Sequence, residues 1–387
     1  MDTLKLSDVL SPRPVADFVE NVFGRTHLRV STGQVPAECA LESFERLIWA
    51  HEDKISTHLV AHRPHGEVTP PRRRQHKDLF RWAVDQFHLG HALRLEEADT
   101  IDSSLAMLAG DITRRLFSIV STDLVVVPAS ASATAFPVCY DEDLLILQTA
   151  GECRWHTSTD ALAPDGAHCL RAGDGLYVPS GNLQAFCGGS DHATAAIWRI
   201  RPLTCTDWWA ALVEVLAEQD PDLRTSVPDA GGHAQSASYH DALERLSQAG
   251  HCPDLEEAVW QRVRLRLADS NRPTPGGHLR SPDYAATIDE HTLLQRRPGA
   301  SLVLFKRAAD VFVYVPGLGG VEVDESQPSG LTFPLEAERL LHAIIDQPDA
   351  VCAAQLPKEY TLACRLSTLR QLCREGGLQI ATTEVNR

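Results

Sequence analysis

Residues 136–155 read FPVCYDEDLLILQTAGECRW, with an apolar run at 144–147 that ends before Gly151. Further along the chain, residues 170–184 read LRAGDGLYVPSGNLQ and residues 198–204 read WRIRPLT. Short apolar runs separated by Gly, Pro, Asp and Ser clusters are typical of β-strands joined by turns. These segments predict a small all-β barrel or sandwich in the middle of the chain. Further apolar runs at 124–127, 176–178 and 195–200 support the same prediction.

Helical spacing of apolar residues surrounds this β-rich region on both sides. Before it, the spacing predicts helices near 15–22 and 42–48; after it, helices are predicted at 207–216, 237–248, 254–268, 335–345 and 361–373. A strand pair at 301–305 and 311–315 precedes the last two helices, and a short strand at 378–380 follows them. Two helices and a terminal strand after a β-pair are typical of a winged helix.

The three opening segments, in this order and spacing, resemble the JmjC-type ribosomal-oxygenase family of cupin-fold Fe(II)/2-oxoglutarate oxygenases. Residues 18–30, FVENVFGRTHLRV, extend the likeness towards the start of the chain. The resemblance implies an α+β fold with a double-stranded β-helix, the JmjC or cupin barrel. It divides the chain into an N-terminal helical extension (1–120), the barrel core (121–205), a helical dimerisation region (206–272) and a C-terminal winged-helix-like domain (273–387).

The resemblance also implies where iron ligands belong. Members of the family hold Fe(II) with an H-x-D pair before the first core strand and a His after the P-x-G turn, because two imidazoles and one carboxylate leave positions open for 2-oxoglutarate and oxygen. Counting without gaps places Val138, Tyr140 and Gln184 at these three positions. A one-residue gap places Cys139, Asp141 and Gln184 there instead, which restores the carboxylate only.

The family binds the distal carboxylate of 2-oxoglutarate with a basic side chain two residues before the motif's Trp, and this position is Cys153. Arg154 is adjacent, but successive side chains of a strand face opposite ways, so Arg154 is predicted to point out of the barrel. A rebuilt metal site would have to draw on other residues in or beside the barrel, namely His156, His168, Cys169, Cys187 and His192. The simpler interpretation is that each histidine is a surface or hydrogen-bonded residue and each cysteine a small buried apolar residue.

Two functions follow from this pattern. The first is a diverged pseudo-oxygenase that has no cofactor and binds a peptide, a protein or a small molecule. The second is an active Fe(II)/2-oxoglutarate-dependent hydroxylase with a nonstandard ligand set, acting on a peptide, a protein or a carrier-bound amino acid. In either case the predicted substrate cleft is formed by Tyr140, Asp141, Asp143, Trp155 and Gln184.

Charge and composition limit the partners. The 387 residues include 36 Lys and Arg against 52 Asp and Glu, for a formal charge of −16, and such a surface repels nucleic acid and anionic lipid but favours a basic peptide or protein. No apolar run reaches the roughly 20 residues that cross a bilayer, and no secretion signal starts the chain, so we expect a cytoplasmic protein. The family resemblance favours a homodimer.

Histidines are frequent in the N-terminal region. His58 and His62 are four residues apart, which would place them on one face of a helix and invite a metal hypothesis. Because Pro64, Pro70 and Pro71 interrupt the region, exposure to solvent is the predicted state of both side chains.

Overall fold

The computed structural model describes residues 4–32, 41–51, 55–63, 66–70, 77–129, 142–157, 166–180, 183–188, 191–219, 244, 253–270, 281–297, 299–307, 309–315, 330–347 and 350–381. The barrel region is built from two facing sheets. Its strands are β1 (Leu28–Ser31), β2 (Leu59–Arg63), β3 (Gly66–Val68), β4 (Ala92–Leu95), β5 (Ser118–Val127), β6 (Asp143–Ala150), β7 (Glu152–Thr157), β8 (Gly166–Arg171), β9 (Asp174–Val178), β10 (Leu183–Gly188) and β11 (Ala193–Pro202).

The larger sheet has eight strands in the order β1-β9-β6-β11-β5-β4-β2-β3, and the smaller has three in the order β10-β7-β8. Every strand pairing within the described residues is antiparallel, and β11 lies in the larger sheet between β5 and β6. The strands predicted at 124–127, 144–147, 176–178 and 195–200 lie within β5, β6, β9 and β11. Each observed strand is longer than its apolar run.

Both faces of the larger sheet are covered, which explains why its strands are almost continuously apolar. On the outer face, alternate residues such as Leu145, Tyr177 and Trp198 pack against helices of the N-terminal region. These helices are α1 (Leu6–Val9), α2 (Val15–Asn21), α3 (Leu41–Ala50), α4 (Lys77–His88) and α5 (Ser103–Leu116). On the inner face, Ile146 and Ile197 pack against Trp155 of the smaller sheet.

The turn between β6 and β7 depends on Gly151. Its φ is +65°, in the left-handed region, and a Cβ added there would collide with the carbonyl oxygen of His192. Only glycine combines that φ with this close approach at low cost. The turn brings β7 over the inner face of the larger sheet.

After the barrel, α6 (Cys205–Gln219) and α7 (Pro253–Ser270) form an antiparallel pair around Leu212, Val215, Val259 and Val263. These two helices agree with the helices predicted at 207–216 and 254–268. The helix predicted at 237–248 lies outside the described residues except for Glu244. Homodimerisation through this region stays a prediction.

The C-terminal region has its own apolar core, which includes Leu340, Leu341, Leu369 and Leu372. Its elements are α8 (Ser281–Thr287), β12 (Leu294–Arg296), β13 (Val303–Lys306), β14 (Asp310–Tyr314), β15 (Gly330–Pro334), α9 (Glu338–Ile345), α10 (Leu362–Arg374) and β16 (Leu378–Ile380). The predicted strand pair is β13 with β14, and β15 adds a third strand that the sequence pattern did not indicate. The winged-helix assignment and the four domain boundaries stay predictions. Among the described residues, no helix combines the length and the apolar character that a membrane span requires.

Candidate functional site

The residues at the predicted ligand positions are only partly described. Val138, Cys139, Tyr140 and Asp141 lie outside the described residues. Gln184 lies on β10, where its backbone pairs with His156 near the end of β7, but its side chain is outside the description. The predicted metal ligands and cleft residues at these positions therefore stay predictions.

The predicted anchor position of 2-oxoglutarate, Cys153, lies within the described residues. Cys153 is buried, at 1% exposure, in the aliphatic cluster between the two sheets, whereas Arg154 is exposed on the opposite face of β7. A neutral buried thiol offers no positive charge to a carboxylate, and the neighbouring guanidinium lies on the wrong side of the strand. The residues at this predicted position therefore do not supply the positive charge that the distal carboxylate of 2-oxoglutarate would need.

Trp155, one of the predicted cleft residues, is also buried between the sheets. Its indole Nε1 donates to Oε1 of Gln148 at 3.3 Å, and the Gln148 amide in turn donates to the backbone carbonyls of Ala150 and Thr194. These bonds satisfy buried polar groups inside an otherwise apolar space. A contact between Trp155 and a ligand stays a prediction.

Asp143, a second predicted cleft residue, forms hydrogen bonds that connect β6 to the end of β9. Its carboxylate accepts hydrogen bonds from the Tyr177 hydroxyl and, at 2.8 Å, from the backbone N–H of Ser180. Burial and the neighbouring carboxylate raise the pKa of Tyr177, whose oxygen also accepts from the N–H of Gly24. These bonds join the start of β6 to the end of β9 and to the N-terminal region.

A row of charged side chains crosses the inner face of the larger sheet beside the apolar cluster. We call it the charged row, and it consists of His62, Glu67, Arg94, Glu96, Asp123, Glu142 and Arg199. Strand alternation places Asp123 on the same face as Val125, and Arg199 on the same face as Ile197. Glu142 directly follows the segment 138–141, so the row adjoins the predicted ligand segment.

Ion pairs within the charged row join β11 to β5 and β4 to β3. Arg199 Nε lies 3.3 Å from Asp123 Oδ2, and Arg199 Nη1 lies 3.7 Å from Glu142 Oε2. Arg94 pairs with Glu96 and lies 3.6 Å from Glu67. Asp123 also accepts from the backbone N–H of Glu97 at 3.3 Å. Buried charges persist only when they are paired in this way.

Burial shifts the titration of two members of the row. Burial raises the pKa of Asp123 to about 6, although Arg199 and Arg94 oppose the shift. Burial, and then the charge of Arg94, lower the pKa of His62 to about 3. His62 is therefore neutral at pH 7, and its 3.5 Å approach to Glu67 is not an ion pair at that pH.

The predicted exposure of His62 is wrong. Its side chain is 1% exposed on β2, because its strand pairs with β4 and directs the imidazole into the inner face. His58 precedes the strand and is 36% exposed. The two histidines therefore do not share a helix face, and among the described parts of the chain no three His, Cys, Asp or Glu residues are grouped as a metal site.

Sequence reasoning did not find the charged row. A signal was present, because Arg94, Asp123 and Arg199 each interrupt an apolar strand run at a position where its neighbours are buried. A charge at such a position is rarely buried without a partner. Nothing in the linear pattern showed that these charges pair with one another.

Comparison with known proteins supports the architecture. YcfD, a ribosomal oxygenase from Escherichia coli, is similar to this chain with a TM-score of 0.61 at 16% identity, and the match covers 96% of this chain and 99% of that chain. The chain has the fold of a JmjC-type ribosomal oxygenase. Structures of YcfD in complex with cobalt and succinic acid, and with cobalt and 2-oxoglutarate, match it with the same TM-score of 0.61 at 17% and 16% identity.

No family model matches the sequence, and no curated protein matches it either. The ribosomal-oxygenase fold nevertheless extends over nearly the whole of both chains, with the N-terminal helices, the barrel and the C-terminal region included. This confirms the resemblance carried by the three sequence segments. At 16–17% identity the shared property is the fold.

Proposed function

We propose that this chain is a diverged pseudo-oxygenase that uses the ribosomal-oxygenase fold to bind a basic peptide or protein segment at the charged row, and that it has no iron or 2-oxoglutarate cofactor. The observation that supports this proposal is the buried thiol of Cys153 at the predicted co-substrate anchor position, with Arg154 on the opposite face. Val138, Tyr140 and Gln184 at the ungapped ligand positions support it. None of the three is a good ligand for Fe(II).

The charge of the row supports a basic ligand. Its carboxylates, on Glu67, Glu96, Asp123 and Glu142, outnumber the guanidinium groups of Arg94 and Arg199, while His62 is neutral. The side chains of Glu67, Glu96 and Glu142 are partly exposed, at 49%, 29% and 26%. A cationic side chain that enters here meets oxygen acceptors in a partly desolvated place, where ionic attraction is stronger than at an open surface.

The test is calorimetric titration of the full chain with a tetralysine peptide, with tetraglutamate as the peptide control. We expect saturable binding of tetralysine alone, weakened at least fivefold by Glu67→Gln and by Glu142→Gln. Glu152→Gln, an exposed carboxylate on the outer side of β7, is the matched control and is expected to bind as the unsubstituted chain does. Equal binding of the two peptides, or unchanged affinity in both row variants, would contradict the proposal.

The alternative is an active hydroxylase in which Asp141, Gln184 and Cys139 hold the metal. It is favoured by one observation, that YcfD of the same fold has been seen with cobalt and 2-oxoglutarate. The test is an anaerobic titration of chelator-stripped protein with Fe(II) and 2-oxoglutarate, followed by charge-transfer absorbance. A saturable signal that Asp141→Ala or Gln184→Ala abolishes, and Glu152→Gln retains, would establish the hydroxylase; we expect no such signal.

A further inference from the structure

A second site lies away from the barrel interior. A cavity of about 630 Å³ is lined by residues from the end of α5, from α7, and from β12, β13 and α9 of the C-terminal region. This volume lies within the range of about 300–1,000 Å³ that small-molecule sites occupy. The cavity therefore joins three parts of the chain around a space of ligand size.

Arginines dominate the charged part of its wall. Arg114, Arg115, Arg264 and Arg296 line the cavity, against the two carboxylates of Asp111 and Asp346. This local excess of positive charge contrasts with the formal charge of −16 of the whole chain. An acidic protein that collects guanidinium groups around one cavity creates a local attraction for anions.

The Asp111 carboxylate is already engaged. It accepts from Arg114 at 3.0 Å, from Arg115 at 3.0 and 3.1 Å, and from the backbone N–H of Leu6 at 2.9 Å. These bonds fix the two arginines of α5 at the cavity wall. Because one carboxylate faces two guanidinium groups, positive charge remains for a ligand to neutralise.

Arg296 has less compensation than the other three. Its Nε is buried with no hydrogen-bond partner, and within the described part of the chain its guanidinium forms no ion pair. Burial, and then the charge of Arg114, lower the pKa of Arg296 to about 10, although the charges of Asp346 and Asp111 oppose the shift. A buried guanidinium donor without a partner is costly, and an anion in the cavity would supply the missing acceptor.

The other walls of the cavity are apolar and include Leu267, Ala268, Leu302 and Ile345. His342 also lines the cavity. Its Nδ1 lies 3.1 Å from Oδ2 of Asp346, within hydrogen-bond distance of that carboxylate. An apolar surface beside a few converging charged groups is typical of sites that bind small organic molecules.

We propose that this cavity binds a small anionic molecule that carries a phosphate group or paired carboxylates, held by Arg114, Arg264 and Arg296. The planar guanidinium fork matches both kinds of oxyanion and binds them through two parallel hydrogen bonds. The site is separate from the charged row, so the proposal does not depend on the function of the barrel. Because the ligand contacts three parts of the chain, its binding stabilises their mutual arrangement.

The test is calorimetric titration of the full chain with pyrophosphate and, separately, with citrate, in a buffer of constant ionic strength. We expect saturable binding of at least one of them, together with a higher thermal midpoint. Arg296→Gln and Arg264→Gln are each expected to weaken binding at least tenfold. The matched control is Arg262→Gln, which lies on α7 but pairs with Glu218 and does not line the cavity.

Because the Nε of Arg296 is buried, the Arg296→Gln variant is compared with the unsubstituted chain by circular dichroism and thermal midpoint. Arg264 is 44% exposed, so Arg264→Gln tests the site without a loss of packing. Stronger binding of pyrophosphate would identify the phosphate class, and stronger binding of citrate the carboxylate class. Absence of saturable binding, or equal affinity in Arg264→Gln and Arg262→Gln, would overturn the proposal.

Discussion

The inner face of the larger sheet has two unlike halves made by the same strands. In the apolar half, Val125, Ile146 and Ile197 pack under Trp155 of the smaller sheet. Asp123 lies two positions from Val125 on β5, and Arg199 lies two positions from Ile197 on β11. Both therefore place charged side chains on the same face. The apolar half packs the two sheets together, whereas burial of the charged half has a desolvation cost that ion pairing must offset.

The largest expected effect is in the charged half. Asp123→Ala removes the carboxylate that faces Arg199, and leaves a mostly buried guanidinium poorly compensated. Loss of one partner of a buried pair lowers the free energy of unfolding by roughly 3–5 kcal/mol. Urea unfolding at pH 7 measures this change.

The double variant Asp123→Leu/Arg199→Met is the control for that measurement. Replacing both partners of a buried pair by apolar residues is often nearly neutral, so we expect the double variant to be more stable than Asp123→Ala. If both variants lost the same stability, the cost would come from packing and the charged half would not differ from the apolar half.

A smaller, pH-dependent effect is expected at His62. Its pKa is about 3 in the folded chain, against 6.5 as the ordinary value, so the unfolded chain takes up the proton first. Its contribution to stability is therefore present above pH 6.5 and is lost as the pH falls towards 3. Between pH 7 and pH 5 this loss amounts to about 2 kcal/mol at roughly 1.4 kcal/mol per pH unit.

The measurement is the free energy of unfolding of the unsubstituted chain and of His62→Gln at both pH values. The advantage of the unsubstituted chain over the variant should shrink on acidification. Asp123 titrates with the opposite sign, because its raised pKa of about 6 means that acidification stabilises the fold, but it is present in both proteins.

The smallest expected effect is in the apolar half. Ile146→Val removes one buried methylene and should lower the free energy of unfolding by about 0.5–1.5 kcal/mol. Because no titratable group is changed, the loss should be the same at pH 7 and pH 5. If the stability loss of Ile146→Val depended strongly on pH, the apolar half and the charged half would be energetically coupled.

Much of the fold could be predicted from local sequence. Strand and helix patterns near 124–127, 195–200, 254–268 and 361–373 correspond to elements of the structure, because apolar periodicity reports which face of an element is buried. Thr361 is the N-cap of α10, and its hydroxyl accepts a hydrogen bond from the N–H of Cys364. The third strand β15 was missed, since its alternation is weak.

The candidate site was predictable only where it depends on alternation along one strand. The sequence by itself determined that Cys153 and Arg154 face opposite ways on β7, and the order of the three motif segments was enough to indicate the ribosomal-oxygenase fold. Tertiary structure alone decided that His62 is buried, that Arg94, Asp123 and Arg199 form one row, and that arginines of three segments surround one cavity. The physical reason is that alternation is a local property, whereas ion pairing, desolvation and cavity shape depend on residues that only folding brings together.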